Sequence, residues 1–102
     1  MIQGDKYSWS EDSSKAWKAE PAVYELYQGS TLIYIGSTGN LKERFIGYWN
    51  SKFADDPCKK ATDSYKREYF QTEAEAQSKE RAYLSEYQRV NGKLPKCNQL
   101  IP

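Results

Sequence analysis

The chain has 102 residues, with 15 Lys+Arg against 14 Asp+Glu, no histidine and a net charge of +1. That length supports one domain, and no apolar run approaches the roughly 18 residues of a membrane span. The absence of histidine excludes Ser-His-Asp and Cys-His catalysis and His-ligated zinc, and the balanced charge argues against a nucleic-acid binder only until it is resolved by segment.

The leading segment, Met1 to Glu20, is polar and lacks the apolar stretch of a secretory signal. A reducing, cytoplasmic setting is therefore expected, with Cys58 and Cys97 as buried or half-buried thiols. Ser10-Glu11-Asp12-Ser13 offers a cap and an acidic first turn, which predicts a helix over residues 11–18. Trp9, Ser13 and Trp17 are spaced four apart, so one face carries both indoles onto the main body. Pro21 ends the segment.

Val23–Tyr27 and Thr31–Ile35 are rich in β-branched and aromatic residues, and Gln28-Gly29-Ser30 joins them as a hairpin. A two-residue Gly29-Ser30 turn pairs Tyr24 with Ile35 and puts Tyr24 and Tyr34 on opposite faces. A three-residue loop pairs Tyr24 with Tyr34, and a site built from both tyrosines requires this second register. Gly36–Asn40 reads as a turn. Leu41 to Asn50 reads as a helix with an apolar stripe of Leu41, Phe45, Tyr48 and Trp49 and with Arg44 at its edge. Asp55-Asp56-Pro57 opens a short piece carrying Cys58, Lys59 and Lys60, with room for one helical turn.

Ser64–Phe70 is a third strand, with Tyr65, Arg67 and Tyr69 on one face and Lys66, Glu68 and Phe70 on the other. Thr72 and Glu75 form a capping box, and the helix they open runs to Val90 before an Asn91-Gly92 stop. Ala76, Tyr83, Leu84 and Tyr87 share one face of that helix, and Glu80 lies at its centre. A carboxylate amid an apolar stripe is the most unusual local feature of the chain. An extended tail, Leu94–Asn98, follows. The order is thus an N-terminal helical appendage, residues 1–21, packed on an α/β (α+β) core, residues 22–102, of β-β-α-β-α order.

Ala22-Val23-Tyr24, nine residues, then Tyr34-Ile35-Gly36 resembles the paired motif of GIY-YIG nucleases. Arg44 stands eight residues after the Gly of the second motif, as in that family. Glu80, followed by Tyr83 and Leu84, is similar to the family's glutamate helix, and Pro95 with Asn98 resembles its closing Pro-x-x-Asn. The resemblance covers about Ala22–Asn98, three quarters of the chain. Either tripeptide alone would be a weak signal, but five elements in order are a specific one. The family's fold implies a three-stranded, mainly antiparallel sheet flanked by helices.

The resemblance implies a divalent-metal-dependent endonuclease that hydrolyses DNA phosphodiester bonds. Glu80 would bind Mg²⁺ (or Mn²⁺) through one carboxylate, with water completing the shell. Arg44 would neutralise charge on the scissile phosphate. Tyr24 and Tyr34 would face that phosphate, with Tyr34 in the base-like role. A phenol has an ordinary pKa near 10, so one must be depressed by Arg44 or the metal, or must position an activated water instead. Asn98 would organise the site by hydrogen bonds. The chain departs from the family at Ala22, in place of the first glycine. Tyr48 stands where many members have histidine and the excision-repair branch has tyrosine, and it is carried as a further catalytic residue. Ser37 stands where that branch has lysine.

By segment, Met1–Leu41 carries three bases and five acids, Lys42–Phe70 seven and five, and Lys79–Pro102 five and two. The two basic segments flank the expected site, with Ser37, Lys42, Lys59, Lys60, Lys66 and Arg67 as candidate nucleic-acid contacts. The partner expected is DNA, branched or with single-stranded regions, and a protein partner supplying specificity. The alternative is a GIY-YIG-like nucleic-acid-binding or adaptor module with weak catalysis. Residue by residue the bland readings are a cross-strand tyrosine pair, a solvated Arg44, and a Glu80 tied to Tyr69 or Arg67. Trp9, Trp17 and Trp49 read first as packing, although an exposed indole suits a single strand.

Overall fold

Each helix starts where a polar side chain satisfies an orphan backbone N–H. Ser10 accepts from Ser13 N, Asn40 from Glu43 N, and Thr72 from Glu75 N. The Thr72–Glu75 capping box is complete, and Gly92, at φ 75°, closes that helix in the left-handed region. The computed structural model describes all 102 residues. Its order is β1 (Tyr7–Ser8), α1 (Glu11–Ser14), β2 (Ala22–Gln28), β3 (Thr31–Thr38), α2 (Leu41–Ser51), a 3₁₀ turn (Pro57–Ala61), β4 (Ser64–Tyr69) and α3 (Glu73–Asn91). No helix is long and apolar enough to cross a membrane.

The sheet is antiparallel and runs β1-β4-β2-β3. It has four strands rather than the expected three, because Tyr7 and Ser8 pair with Tyr65 and Ser64 on the outer edge of β4. A two-residue strand has no period to read, and only the free edge creates it. α1 is shorter than expected. Ser13 Oγ donates to the carbonyls of Ser8 and Ser10, and Ser14 Oγ donates to that of Glu11, so hydroxyls compete with the helical ladder. Trp17 therefore lies beyond the end of the helix instead of on its face, yet Trp9 and Trp17 still stack at 5.3 Å.

The sheet separates two packed layers. On one face α3 brings Tyr83 and Leu84 onto Val23, Ile35 and Ile2. On the other, α2 and the N-terminal aromatics cover Tyr24, Leu26 and Tyr65 with Phe45 and Trp17. Trp17 Nε1 donates to Tyr65 Oη at 2.8 Å, which satisfies two buried polar atoms at once.

The hairpin begins in the first expected register and does not keep it. It turns on Gly29-Ser30, pairing Gln28 with Thr31 and Tyr27 with Leu32, and then a bulge between Leu26 and Tyr27 shifts the pairing. Gly29 takes φ 60°, as such a tight turn requires. Beyond the bulge Leu26 pairs with Tyr34 and Tyr24 with Gly36. One inserted residue reverses the alternation, so Tyr24 and Tyr34 share a face although they are not directly opposite. β3 also runs on through Gly36–Thr38, which the glycine-rich composition had marked as a turn.

The expected free thiols are not found. Cys58 and Cys97 form a disulfide that joins the 3₁₀ turn to the C-terminal tail. Cys97 N donates to Ile33 O at 2.8 Å, which lays the tail along the outer edge of β3. Thirty-nine positions separate the two cysteines in sequence, so only the tertiary fold shows that they meet.

Candidate active site

The second tyrosine motif has a steric basis. A Cβ on Gly36 would lie 2.6 Å from a ring atom of Tyr34 and 2.7 Å from the Cζ and Oη of Tyr24. Both rings therefore close over a position that only glycine permits. Gly36→Ala is expected to displace both phenols, lowering stability by about 1–3 kcal/mol and any hydrolysis by about 10²-fold. Gly47, exposed in α2 with no atom within 4 Å of an added Cβ, supplies the control. Gly47→Ala should stabilise the helix by roughly 0.5–1 kcal/mol. Denaturant unfolding and cleavage rates of the two variants test the pair.

Tyr24 is fully buried. Its hydroxyl lies 2.6 Å from Tyr48 Oη and accepts from Arg44 Nη1 at 3.3 Å. Arg44 and Tyr48 are four apart on α2, which brings both to the same side. Lys59 joins them from the 3₁₀ turn. Its ammonium donates to Tyr48 Oη at 3.3 Å, lies 3.6 Å from the Tyr34 ring centroid, and pairs with Asp56 at 3.2 Å. Lys59 is only 6% exposed, whereas the sequence reads as a solvated Asp-Asp-Pro-Cys-Lys-Lys stretch. A lysine this buried requires partners, and the carboxylate and two aromatic neighbours provide them. Its neighbour Cys58 is pinned by the disulfide, which fixes where the turn points.

Burial first, then the neighbouring Tyr48 and Tyr34, holds the Tyr24 phenol well above its ordinary pKa. Burial also raises Tyr34, although the Lys59 charge opposes it. Neither phenol is depressed by its protein neighbours, so of the expected alternatives depression by Arg44 is not found, and depression by the metal or the positioning of an activated water remains. Burial likewise raises Tyr27, Tyr69 and Tyr83. Unfolded phenols ionise near pH 10. The stability these five groups contribute is thus complete below about pH 10 and is lost as pH rises through it toward the folded values. A phenolate absorbance titration should show a late class of tyrosines that ionises only as the fold unfolds. Simultaneous ionisation of all nine near pH 10 in a folded chain would refute this.

Glu80 is buried on α3, 8% exposed, and has no cationic partner. Its one protein hydrogen bond comes from Ser37 Oγ to Oε1, not from Tyr69 or Arg67. Ser37 and Glu80 belong to the face opposite Tyr24, but β3 is the edge strand, so both layers reach the same rim. There Glu80, Tyr34, Asp56, Lys96 and Asn98 line a cavity of about 450 Å³. Arg44, Tyr48 and Asp56 line an adjacent one of about 490 Å³. Asn98 holds the rim in place: its Nδ2 donates to Ile35 O at 2.9 Å and its Oδ1 accepts from Ile35 N at 3.0 Å. This amide imitates a paired strand along the edge of β3.

A divalent cation fits this donor set. One buried carboxylate, free of any competing cation and opening on a polar cavity, suits Mg²⁺, which keeps most of its water. No cluster of three or more acidic or thiol ligands exists, so a cation held wholly by protein does not fit. The other basic candidates are dispersed. Lys42 is exposed on α2, and Lys60 faces an aromatic pocket beside it. Lys66 donates to Ile2 O, and Arg67 lies 4.4 Å from the Tyr7 ring centroid. Both sit on β4, which β2 separates from β3.

Sequence reasoning also passed over Glu25. Fully buried, it accepts from Ile2 N and Tyr27 Oη. Burial raises its pKa despite those bonds. Alternation along β2 placed it opposite Tyr24, but only the packing of the N-terminus and α3 shows that this face is covered.

Among curated proteins, none matches the chain in sequence. Among solved structures, the GIY-YIG N-terminal endonuclease domain of UvrC from Thermotoga maritima, bound to magnesium as its catalytic divalent cation, superimposes with a TM-score of 0.69 at 24% identity, covering 86% of this chain and 93% of that one. A point-mutant form of the same domain gives 0.70 at 22% identity, covering 87% and 93%. These similarities establish the fold. The family model for the GIY-YIG catalytic domain matches residues 20–93, from the strand that carries Tyr24 through the helix that carries Glu80, and the chain therefore belongs to the GIY-YIG family.

Proposed function

We propose that the chain is a divalent-metal-dependent endonuclease acting on DNA phosphodiester bonds, directed by substrate structure or by a protein partner. The observation that carries this reading is Glu80, a buried carboxylate without a cation that opens on the cavity lined by Tyr34. A bound Mg²⁺ supplies Lewis-acid charge at the phosphate and a lowered water pKa. Arg44 and Lys59 offset the charge that develops on the phosphate oxygens. Tyr34, still protonated at neutral pH, orients the attacking water by hydrogen bonding. Tyr24 is too buried to touch substrate, so it acts as a positioning residue that fixes Tyr48 and Arg44. Asn98 acts through Ile35, and Ser37 aims Glu80. Lys42 and Lys60, both exposed, contact the DNA backbone outside the centre. Residues 1–21 serve as an appendage that completes the sheet and the aromatic layer.

Incubation with supercoiled plasmid, flap and junction DNA in Mg²⁺ or Mn²⁺ tests the proposal. Cleavage that chelator abolishes supports it. No cleavage of any of the three substrates with either metal overturns it.

A further inference from the structure

Beside the tyrosine centre, and sharing no lining residue with the Glu80 cavity, lies a pocket of about 280 Å³ from which the hydrolytic reading takes only Tyr48 and Lys60. Trp9, Tyr48, Trp49 and Phe53 form its walls, and Lys52 and Lys60 stand in its lining. The rings are fixed. Phe53 packs on Tyr48 at 4.7 Å, and Trp9 lies 5.4 Å from Phe53 and 5.9 Å from Trp49. Trp49 is nevertheless 39% exposed, and both lysines are exposed. An indole left open within a rigid aromatic wall and flanked by cations matches what a stacked base and its phosphates require.

Two further features support this. Tyr48 is shared: its ring lines the pocket, while its hydroxyl touches Tyr24 and Lys59. The pocket is therefore continuous with the catalytic cluster. Adjacent residues of one 3₁₀ turn divide between the two, with Lys59 turned in toward the tyrosines and Lys60 out toward the pocket. In addition, α2 ends on two consecutive left-handed non-glycine residues, Lys52 at φ 53° and Phe53 at φ 59°. Glycine would end a helix at lower cost. This strained ending places the Phe53 ring against Tyr48 and Lys52 at the rim.

We infer that this pocket binds an unpaired nucleobase of the substrate strand, next to the phosphate held at the Tyr–Lys–Glu80 centre. A paired base is covered on both faces by its neighbours, whereas a displaced or single-stranded base offers a free face for Trp49. The site thus selects DNA with unpaired nucleotides beside the cut, a preference built into the domain itself. The position relative to the cut rests on the nuclease reading above; the binding does not.

The test measures binding in the full chain carrying Glu80→Gln, so that no cleavage intervenes. Fluorescence anisotropy in Mg²⁺ compares a thymidine oligonucleotide, a blunt duplex and a duplex with a short flap. Trp49→Ala should weaken the oligonucleotide and flap by about 5- to 100-fold and change the blunt duplex by less than about twofold, with Trp49→Phe restoring most of the loss. Lys52→Gln with Lys60→Gln does not touch the core. It should weaken all three DNAs and flatten the salt dependence by about two phosphate contacts. Unchanged oligonucleotide binding in Trp49→Ala, or equal losses on flap and blunt duplex, overturns the inference. Absence of cleavage by the unmodified chain, with the Trp49 effect intact, instead overturns the nuclease reading and leaves this site standing.

Discussion

Glu80→Gln is expected to remove metal-dependent hydrolysis, lowering the cleavage rate by about 10³-fold or more while the fold remains intact. Glutamine has the same shape and still accepts the bond from Ser37 Oγ. What it lacks is charge. Asp56, the other side-chain carboxylate on this cavity, is already paired with Lys59, and no cluster of ligands exists to compensate, so a divalent cation has no free second anchor and excess metal should not restore the rate. Stability should hold or rise. Glu80 is a buried anion among Ala76, Tyr83 and Leu84 without a cation beside it, and removing an uncompensated buried charge relieves desolvation. The variant therefore separates two roles. Loss of cleavage with unchanged denaturant unfolding supports a metal ligand. Unchanged cleavage refutes the assignment, and loss of both would mark Glu80 as a structural residue.

Loss of the Cys58–Cys97 disulfide should have the second large effect. The closed segment spans 39 positions, for which chain entropy gives a contribution of about 4 kcal/mol. In a domain of this size that corresponds to a fall in Tm of roughly 15 °C or more. Cys58→Ser with Cys97→Ser and the reduced parent chain should behave alike. Activity should fall further than stability accounts for. The disulfide pins the turn that aims Lys59 at Tyr34 and Tyr48, and it holds the tail that carries Asn98 to Ile35. Cleavage measured well below the unfolding temperature distinguishes these effects. Identical unfolding midpoints with and without reductant would refute the stability prediction.

The elements legible in sequence were those with a local cause. The Thr72–Glu75 box and Gly92 delimit α3 because both signals act within one helix turn. The Arg44–Tyr48 pair follows from helical spacing, and Glu80 stood out because a carboxylate interrupts an apolar stripe. β1 was not legible, because its two residues become a strand only against the free edge of β4. The hairpin register stays open in the sequence because a bulge leaves no mark in composition. Turn length alone allowed two answers, and the chain takes a third.

Lys59 shows the same limit at the site. In sequence it is one of two adjacent lysines after a proline and a cysteine, and nothing local distinguishes it from Lys60. The fold turns one inward to Tyr34, Tyr48 and Asp56 and leaves the other at the aromatic pocket. The long-range partners decide this, above all the disulfide that anchors the turn.

The sequence by itself determined which groups are available for chemistry. A chain without histidine is left with tyrosine, arginine, lysine and one carboxylate set in an apolar stripe, and their order and spacing carry the family. Tertiary structure alone decided their states: Tyr24 buried and protonated, Lys59 desolvated among phenols, Glu80 without a cation, and the cysteines joined. Spacing along a chain fixes what lies on one face of one element. Burial, charge balance and covalent pairing depend on groups brought together from opposite ends of it.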